Sequence, residues 1–133
     1  MSDRKSVLAI DNDLEILYLL KVALESFGDY TVTTADSGDR GIRYANSQKY
    51  DIIISDLVMP DLDGEKVMRA VQQTTYNKDT LLFVLSGKAD IAEALQIANV
   101  TVLSKPFNPT DLVDRISKAW DLKHGPKKPD TNN

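Results

Sequence analysis

Short apolar runs alternate with longer amphipathic stretches along the chain. Residues 6–10 (SVLAI) form a compact apolar run and predict a buried strand. Over 12–27, Leu17, Leu20, Leu24 and Phe27 recur at steps of three and four, the period of a helix with these side chains inward. Asn12 with Glu15 three residues on predicts a capping box, and Gly28 a stop. Residues 30–34 (YTVTT) are rich in β-branched side chains and predict a second strand, and a more polar helix over 37–48 turns Ile42 and Ala45 inward. Residues 51–55 (DIIIS) carry three consecutive isoleucines, as a strand buried on both faces of a parallel sheet does. DLVMPDLDG at 56–64 is broken by Pro60 and Gly64 and reads as a loop.

The alternation continues to the C-terminus. A third helix is expected over 65–73 with Val67 and Val71 inward, and a fourth strand over 80–85 (TLLFVL). Ile91, Ala94, Leu95 and Ala98 make the stripe of a fourth helix, followed by a short fifth strand at 101–104. Asn108 as cap and Pro109 in the first turn open the last helix, whose inner face is Leu112, Val113, Ile116 and Trp120. HGPKKPDTNN then predicts a disordered tail or linker remnant, dividing the chain into a domain over 1–123 and a tail over 124–133.

Five strands alternating with five helices imply an α/β fold: a doubly wound, five-stranded parallel sheet with helices on both faces. A length of 133 residues suits one such domain, with 42% apolar and 27% charged residues. The absence of cysteine excludes disulfides, thiolate zinc sites and a cysteine nucleophile, and a single histidine, His124 in the polar tail, argues against a Ser-His-Asp hydrolase. A net charge of −4 makes a poor non-specific nucleic-acid binder. The apolar run at 7–10 is too short for a signal peptide or a membrane span, so a cytoplasmic location without a membrane partner is expected.

Ligands of open α/β sheets bind beyond the carboxyl ends of the strands. The residues leaving the predicted strands are Asp11-Asn12-Asp13, Asp56, Ser86-Gly87 and Lys105-Pro106, with Ala35-Asp36 off to one side. Acids, a hydroxyl and a lysine therefore converge on one edge. Clustered carboxylates repel unless a cation joins them, and an all-oxygen donor set favours Mg²⁺. A lysine and a hydroxyl beside that cation suit the oxygens of a phosphoryl group. No Gly-rich phosphate loop is present, which disfavours ATP, GTP and dinucleotides.

These residues resemble the receiver domains of two-component response regulators, the CheY-like superfamily, over about residues 5–123. The resemblance is carried by DLVMPDLDG at 56–64, the family's D-x-x-M-P-x-x-D-G, and by SKPF at 104–107, each after its expected strand. It implies a flavodoxin-like strand order 2-1-3-4-5 and Asp56 as phosphoacceptor. It implies Mg²⁺ (or Mn²⁺) held by Asp11, Asp56 and the backbone carbonyl of Val58. Ser86 would hydrogen-bond the phosphoryl group, Lys105 would pair with one of its oxygens, and the Lys105–Pro106 bond would be cis. Asp63-Gly64 is assigned to capping the third helix rather than to chemistry. The implied partner is a sensor histidine kinase or a histidine phosphotransfer domain. No DNA-binding block accompanies the receiver, so the output acts in trans without nucleic acid, unless the chain is an excised fragment; a homodimer is left open. The domain is expected to be a phosphoacceptor rather than an enzyme.

Three departures from the family pattern stand out. Asn12 occupies the place of the second acid, which weakens the cation site; Asp13 compensates in part, or Asn12 serves only as helix cap. Val102 stands where the family often has an aromatic switch residue working with Ser86. The segment between Ser86 and Lys105 is short around 88–90, so any switch relies on backbone and loop motion or on another face. By the same resemblance Val58 and Lys88 flank the path of the hydrolytic water and imply slow dephosphorylation. The alternatives are a pseudo-receiver that binds protein without phosphorylation, a haloacid-dehalogenase-type phosphatase lacking its second acid at Val58, and a flavodoxin-like carrier.

Overall fold

The computed structural model describes residues 4–87, 94 and 96–125. Its elements run β1 (Lys5–Ile10), α1 (Leu14–Phe27), β2 (Tyr30–Ala35), α2 (Gly38–Ser47), β3 (Ile52–Asp56), α3 (Gly64–Gln72), β4 (Leu81–Ser86), β5 (Val100–Ser104) and α4 (Pro109–His124). The strands form one parallel sheet in the order β2-β1-β3-β4-β5, as expected. The helix expected over 91–98 lies largely outside the described residues; Ala94 and Ile97 are buried.

Side-chain alternation in the central strands divides the core in two. Val7, Ala9, Ile52, Ile54, Phe83 and Leu85 point to one face and pack under α1 and α4, through Leu17, Leu20, Leu24, Leu112, Val113 and Ile116. Leu8, Ile10, Ile53, Leu82 and Val84 point to the other and pack under α2 and α3, through Ala45, Val67, Met68 and Val71. Burial on both faces is why these strands read as unbroken apolar runs. Below the sheet, the buried Asn77 ties three segments together. Its amide donates to the carbonyls of Ala45 and Gln48, and its Oδ1 accepts from the backbone N–H of Tyr50 and the hydroxyl of Thr80.

Three sequence expectations need correction. The cap of α1 is Asp13, not Asn12: its Oδ1 accepts from the N–H groups of Glu15 (2.9 Å) and Ile16 (3.4 Å). The chain stays tied to the sheet through Asp11, whose N–H donates to Ala35, so the helix starts one residue later than a cap at Asn12 allows. Phe27, at the last position of α1, is exposed rather than inward. His124 belongs to α4, stacked on the half-buried Trp120 with centroids 3.7 Å apart. The other caps, Ser37, Asp63 and Asn108, are side-chain acceptors at their helix starts, so Asp63 caps α3 as expected.

Candidate functional site

Parallel pairing sets the site by register. Ile10 pairs with Ser55, Asp56 with Leu85 and Ser86 with Ser104. The residues at or just beyond those pairs, Asp11, Asp56, Ser86 and Lys105, therefore fall along one carboxyl edge. Lys105 is held there by its own N–H, which donates to the Ser86 carbonyl at 2.8 Å, and the Lys105–Pro106 peptide is cis.

At the centre, the Lys105 ammonium donates to Asp56 Oδ1 at 2.8 Å. Asp56 is only 7% exposed, so this charge-assisted bond works where water screens it little. Asp11 beside it is fully buried. Its Oδ1 accepts from the Asp13 N–H at 2.9 Å, while its Oδ2 has no partner among the described residues. Burial, chiefly, and then the neighbouring Asp56 raise the Asp11 carboxyl to about 6, against the Asp13 hydrogen bond and the Lys105 charge that hold it down. A buried, unpartnered carboxylate oxygen next to a second carboxylate is a place for a cation. The all-oxygen surroundings suit Mg²⁺.

The remaining expected residues divide. Ser86 is buried at the end of β4, its hydroxyl donating to the Gly87 carbonyl at 3.0 Å. Val58 stands in the loop after Asp56 with its side chain 59% exposed. Asn12 is exposed, and its amide makes no hydrogen bond among the described residues. Asp13 spends Oδ1 on the cap of α1. Among the described residues no group of three or more acidic or histidine side chains is placed to hold a metal ion, so the acidic set at the site is the pair Asp11 and Asp56, within the one or two carboxylates that Mg²⁺ takes. Val102 is half-buried in β5 against the α2–α3 side of the core. Asp36 lies off to one side, at the end of edge strand β2, paired with Arg40 at 3.4 Å. Lys88 lies outside the described residues.

Two residues were not legible as site elements. Gly64 packs against the strand end itself: a Cβ there would lie 2.5 Å from the Asp56 carbonyl oxygen and 2.6 Å from Leu57 Cα. The Asp-Gly pair closing DLVMPDLDG was the available signal. Asp61 reaches across to α2, accepting from the N–H groups of Gly38 (3.1 Å) and Asp39 (2.9 Å), and these bonds hold its carboxyl below the usual range. No periodicity announces a loop residue bonded to an element 22 positions earlier.

Beside the site, Ile16, Leu19, Lys105, Pro106 and Phe107 line an open groove of about 400 Å³. It continues onto an exposed apolar ridge of α1 made by Leu14, Tyr18 and Val22. Among the described residues no helix is long and apolar enough to cross a membrane.

Comparison with known proteins agrees with this fold. Residues 7–117 match the model of the response regulator receiver domain. The transcriptional regulatory protein GlrR of Escherichia coli is 33% identical over 114 residues, 85% of this chain but 26% of its own length. The chain thus spans about a quarter of that relative. The probable chemotaxis protein CheY of Rhizobium etli is 29% identical over 80% of this chain and 85% of its own. Among solved structures, the chemotaxis protein CheY4 of Vibrio cholerae superposes with a TM-score of 0.77 at 29% identity, covering 86% of this chain and 98% of the other. The receiver domain of the sensor histidine kinase PA1611 from Pseudomonas aeruginosa gives 0.78 at 28% identity, over 88% of this chain and 97% of the other. That structure has a magnesium ion coordinated in its active site cleft. With the family model spanning most of the chain, and the fold in agreement, this chain belongs to the response regulator receiver domain family of two-component signalling.

Proposed function

We propose that Asp56 accepts a phosphoryl group from a phosphohistidine of a partner protein and that the aspartyl phosphate shifts the domain between two conformations read by another protein. The observation carrying this reading is the Lys105–Asp56 pair at 2.8 Å beside the unpartnered Oδ2 of buried Asp11. A carboxylate oxygen of Asp56 attacks phosphorus. The nitrogen–phosphorus bond breaks with its electron pair returning to the imidazole, which takes up a proton. Lys105, on a short tether from β5, moves its charge from the carboxylate to a phosphoryl oxygen as that oxygen takes over the negative charge. The Ser86 hydroxyl exchanges the Gly87 carbonyl for a second phosphoryl oxygen. Asp11, Asp56 and the Val58 carbonyl would hold a divalent cation, Mg²⁺ or Mn²⁺, with Asn12 as a neutral fourth donor and Asp13 limited by its cap. Bound there, the cation neutralises charge on the carboxylates and the incoming phosphoryl oxygens.

The donor is a sensor histidine kinase or a histidine phosphotransfer domain, and the apolar ridge of α1 with the Lys105–Phe107 groove gives its helices a seat beside Asp56. The domain is a phosphoacceptor that assists its own phosphorylation and dephosphorylation and turns over no separate substrate. Its output is a change of conformation that a further domain or a second protein reads, and the domain works in the cytoplasm.

One observation favours a second reading, a receiver-fold module that binds protein without phosphorylation: the acidic set holds two carboxylates, with Asn12 uncharged and Asp13 used as a cap. Labelling with an acyl phosphate, with and without Mg²⁺, decides between them. Mg²⁺-dependent label that Asp56→Asn abolishes supports the phosphoacceptor. A folded protein that takes no label at high Mg²⁺ supports the second reading.

A further inference from the structure

The loop leaving Asp56 is closed on itself at its base and tied outward by Asp61. The Gly64 N–H donates to the Leu57 carbonyl at 2.6 Å, and Leu57 in turn donates to Leu85 of β4 at 3.0 Å. Leu57 and Met59 are buried, whereas Val58, Pro60 and Asp61 are exposed. From that exposed stretch the Asp61 carboxylate spans the first turn of α2, one oxygen on the Gly38 N–H and the other on the Asp39 N–H. The backbones are close there as well. A Cβ on Gly38 would meet Leu62 Cβ and Val67 Cγ2 at 3.0 Å each.

Two unsatisfied N–H groups at a helix start make a bidentate carboxylate contact both directional and charge-favoured. A shift of the loop must therefore either carry the first turn of α2 with it or break two hydrogen bonds. At the other end of the same loop, Val58 is two residues from Asp56 and three from Asp61, so the phosphoacceptor and the clasp share a short backbone path.

We propose that Asp61 couples the phosphoacceptor loop to the N-terminus of α2, making the first turn of α2 an element that responds to the state of Asp56. This rests on the phosphoacceptor reading of Asp56. It gives the domain a conformational route through α2, one that does not depend on an aromatic at Val102. The coupling is carried by a two-bond contact whose removal leaves the site residues untouched, since Asp61 is exposed and touches neither Lys105 nor Asp11.

The test follows backbone amides by NMR while beryllium fluoride and Mg²⁺ are added as a phosphoryl mimic, in the wild type, Asp61→Ala and Asp61→Asn. The expected result is that the Leu57 and Gly87 amides move in all three proteins, whereas the Gly38 and Asp39 amides move in the wild type and lose that response in Asp61→Ala. Asp61→Asn keeps the shape but can accept through only one atom, so it retains at most part of the response. Gly38 and Asp39 unmoved while Leu57 and Gly87 move would overturn the coupling alone. An undiminished α2 response in Asp61→Ala would overturn it too. No movement of Leu57 or Gly87 in the wild type would overturn the phosphoacceptor reading, and the coupling with it.

Discussion

Lys105 and Asp56 meet at 2.8 Å although their strands are not neighbours. β4 lies between β3 and β5, and the ion pair crosses over its end, where Ser86 sits. The lysine can span that gap because its backbone N–H is fixed to the Ser86 carbonyl, aiming its side chain along the sheet edge. Ser86 ends the strand that lies between the two charged residues in the sheet, and its backbone carbonyl anchors the lysine.

Replacing Lys105 by Ala should therefore affect transfer more than fold. A single preorganised donor to a developing oxyanion contributes about 10²–10³ in rate. Lys105 is partly open to water, so a loss of roughly 10- to 100-fold is expected here. The initial rate of labelling by an acyl phosphate at saturating Mg²⁺ measures it. A rate within twofold of wild type would remove Lys105 from the machinery.

Gly64→Ala tests the packing behind Asp56. The added Cβ would press on the Asp56 carbonyl and Leu57 Cα, which are backbone atoms with nowhere to go. Overpacking against rigid neighbours costs about 1–3 kcal/mol, and the upper end is expected here. Gly87 is the control: a Cβ there meets nothing within 4 Å, so Gly87→Ala should leave stability within about 0.5 kcal/mol. Urea unfolding of the two variants gives the comparison.

The fold was legible because local and global signals agreed. DIIIS suits a strand buried on both sides, and Asn108-Pro109 suits the opening of a helix, as the structure has them. The convergence of Asp11, Asp56, Ser86 and Lys105 followed from strand ends alone. What escaped depended on distance in sequence. The cap of α1 moved from Asn12 to Asp13 because β1's pairing to Ala35 extends through Asp11, a tertiary constraint that propensity does not contain. The Asp61 clasp joins residues 22 apart through a loop whose path no periodicity describes. The Gly64 contact is a matter of ångströms between backbones, visible in sequence only as an Asp-Gly pair.

Asp11 sets a pH dependence whose sign follows from its burial. Its carboxyl is near 3.8 when exposed and about 6 in the folded protein. Below the lower value both states are protonated and the group contributes nothing. Between the two, the folded state binds the extra proton, so stability falls as pH rises and the penalty is complete above about 6. With chelator present, Asp11→Asn should therefore be more stable than wild type by roughly 1–3 kcal/mol at pH 8 and equal to it near pH 3.5. Adding Mg²⁺ should stabilise the wild type at pH 8 and stabilise the variant, which keeps Asp56 but loses one charge, to a smaller extent. Urea midpoints across pH, with and without Mg²⁺, check both halves. A variant less stable than wild type at pH 8 would mean that the Asp11 charge is already compensated within the fold.

Asn12 offers the complementary gain. It is exposed next to Asp11, its amide is not used by α1, and the cap it was expected to provide is already supplied by Asp13. Asn12→Asp therefore adds a third carboxylate at the mouth of the site without removing a structural contact. In the metal-free protein the new charge repels Asp11 and Asp56, so a stability loss of up to about 1 kcal/mol is expected at neutral pH. With the cation present the same repulsion becomes attraction, and Mg²⁺ affinity should tighten about tenfold, equivalent to about 1.4 kcal/mol. Calorimetric titration of Mg²⁺ into both proteins reads the affinity, and thermal unfolding in chelator reads the cost. Affinity unchanged by the added acid would show that position 12 does not reach the cation. The two-carboxylate set of Asp11 and Asp56, completed by carbonyl and water, would then account for all the binding there is.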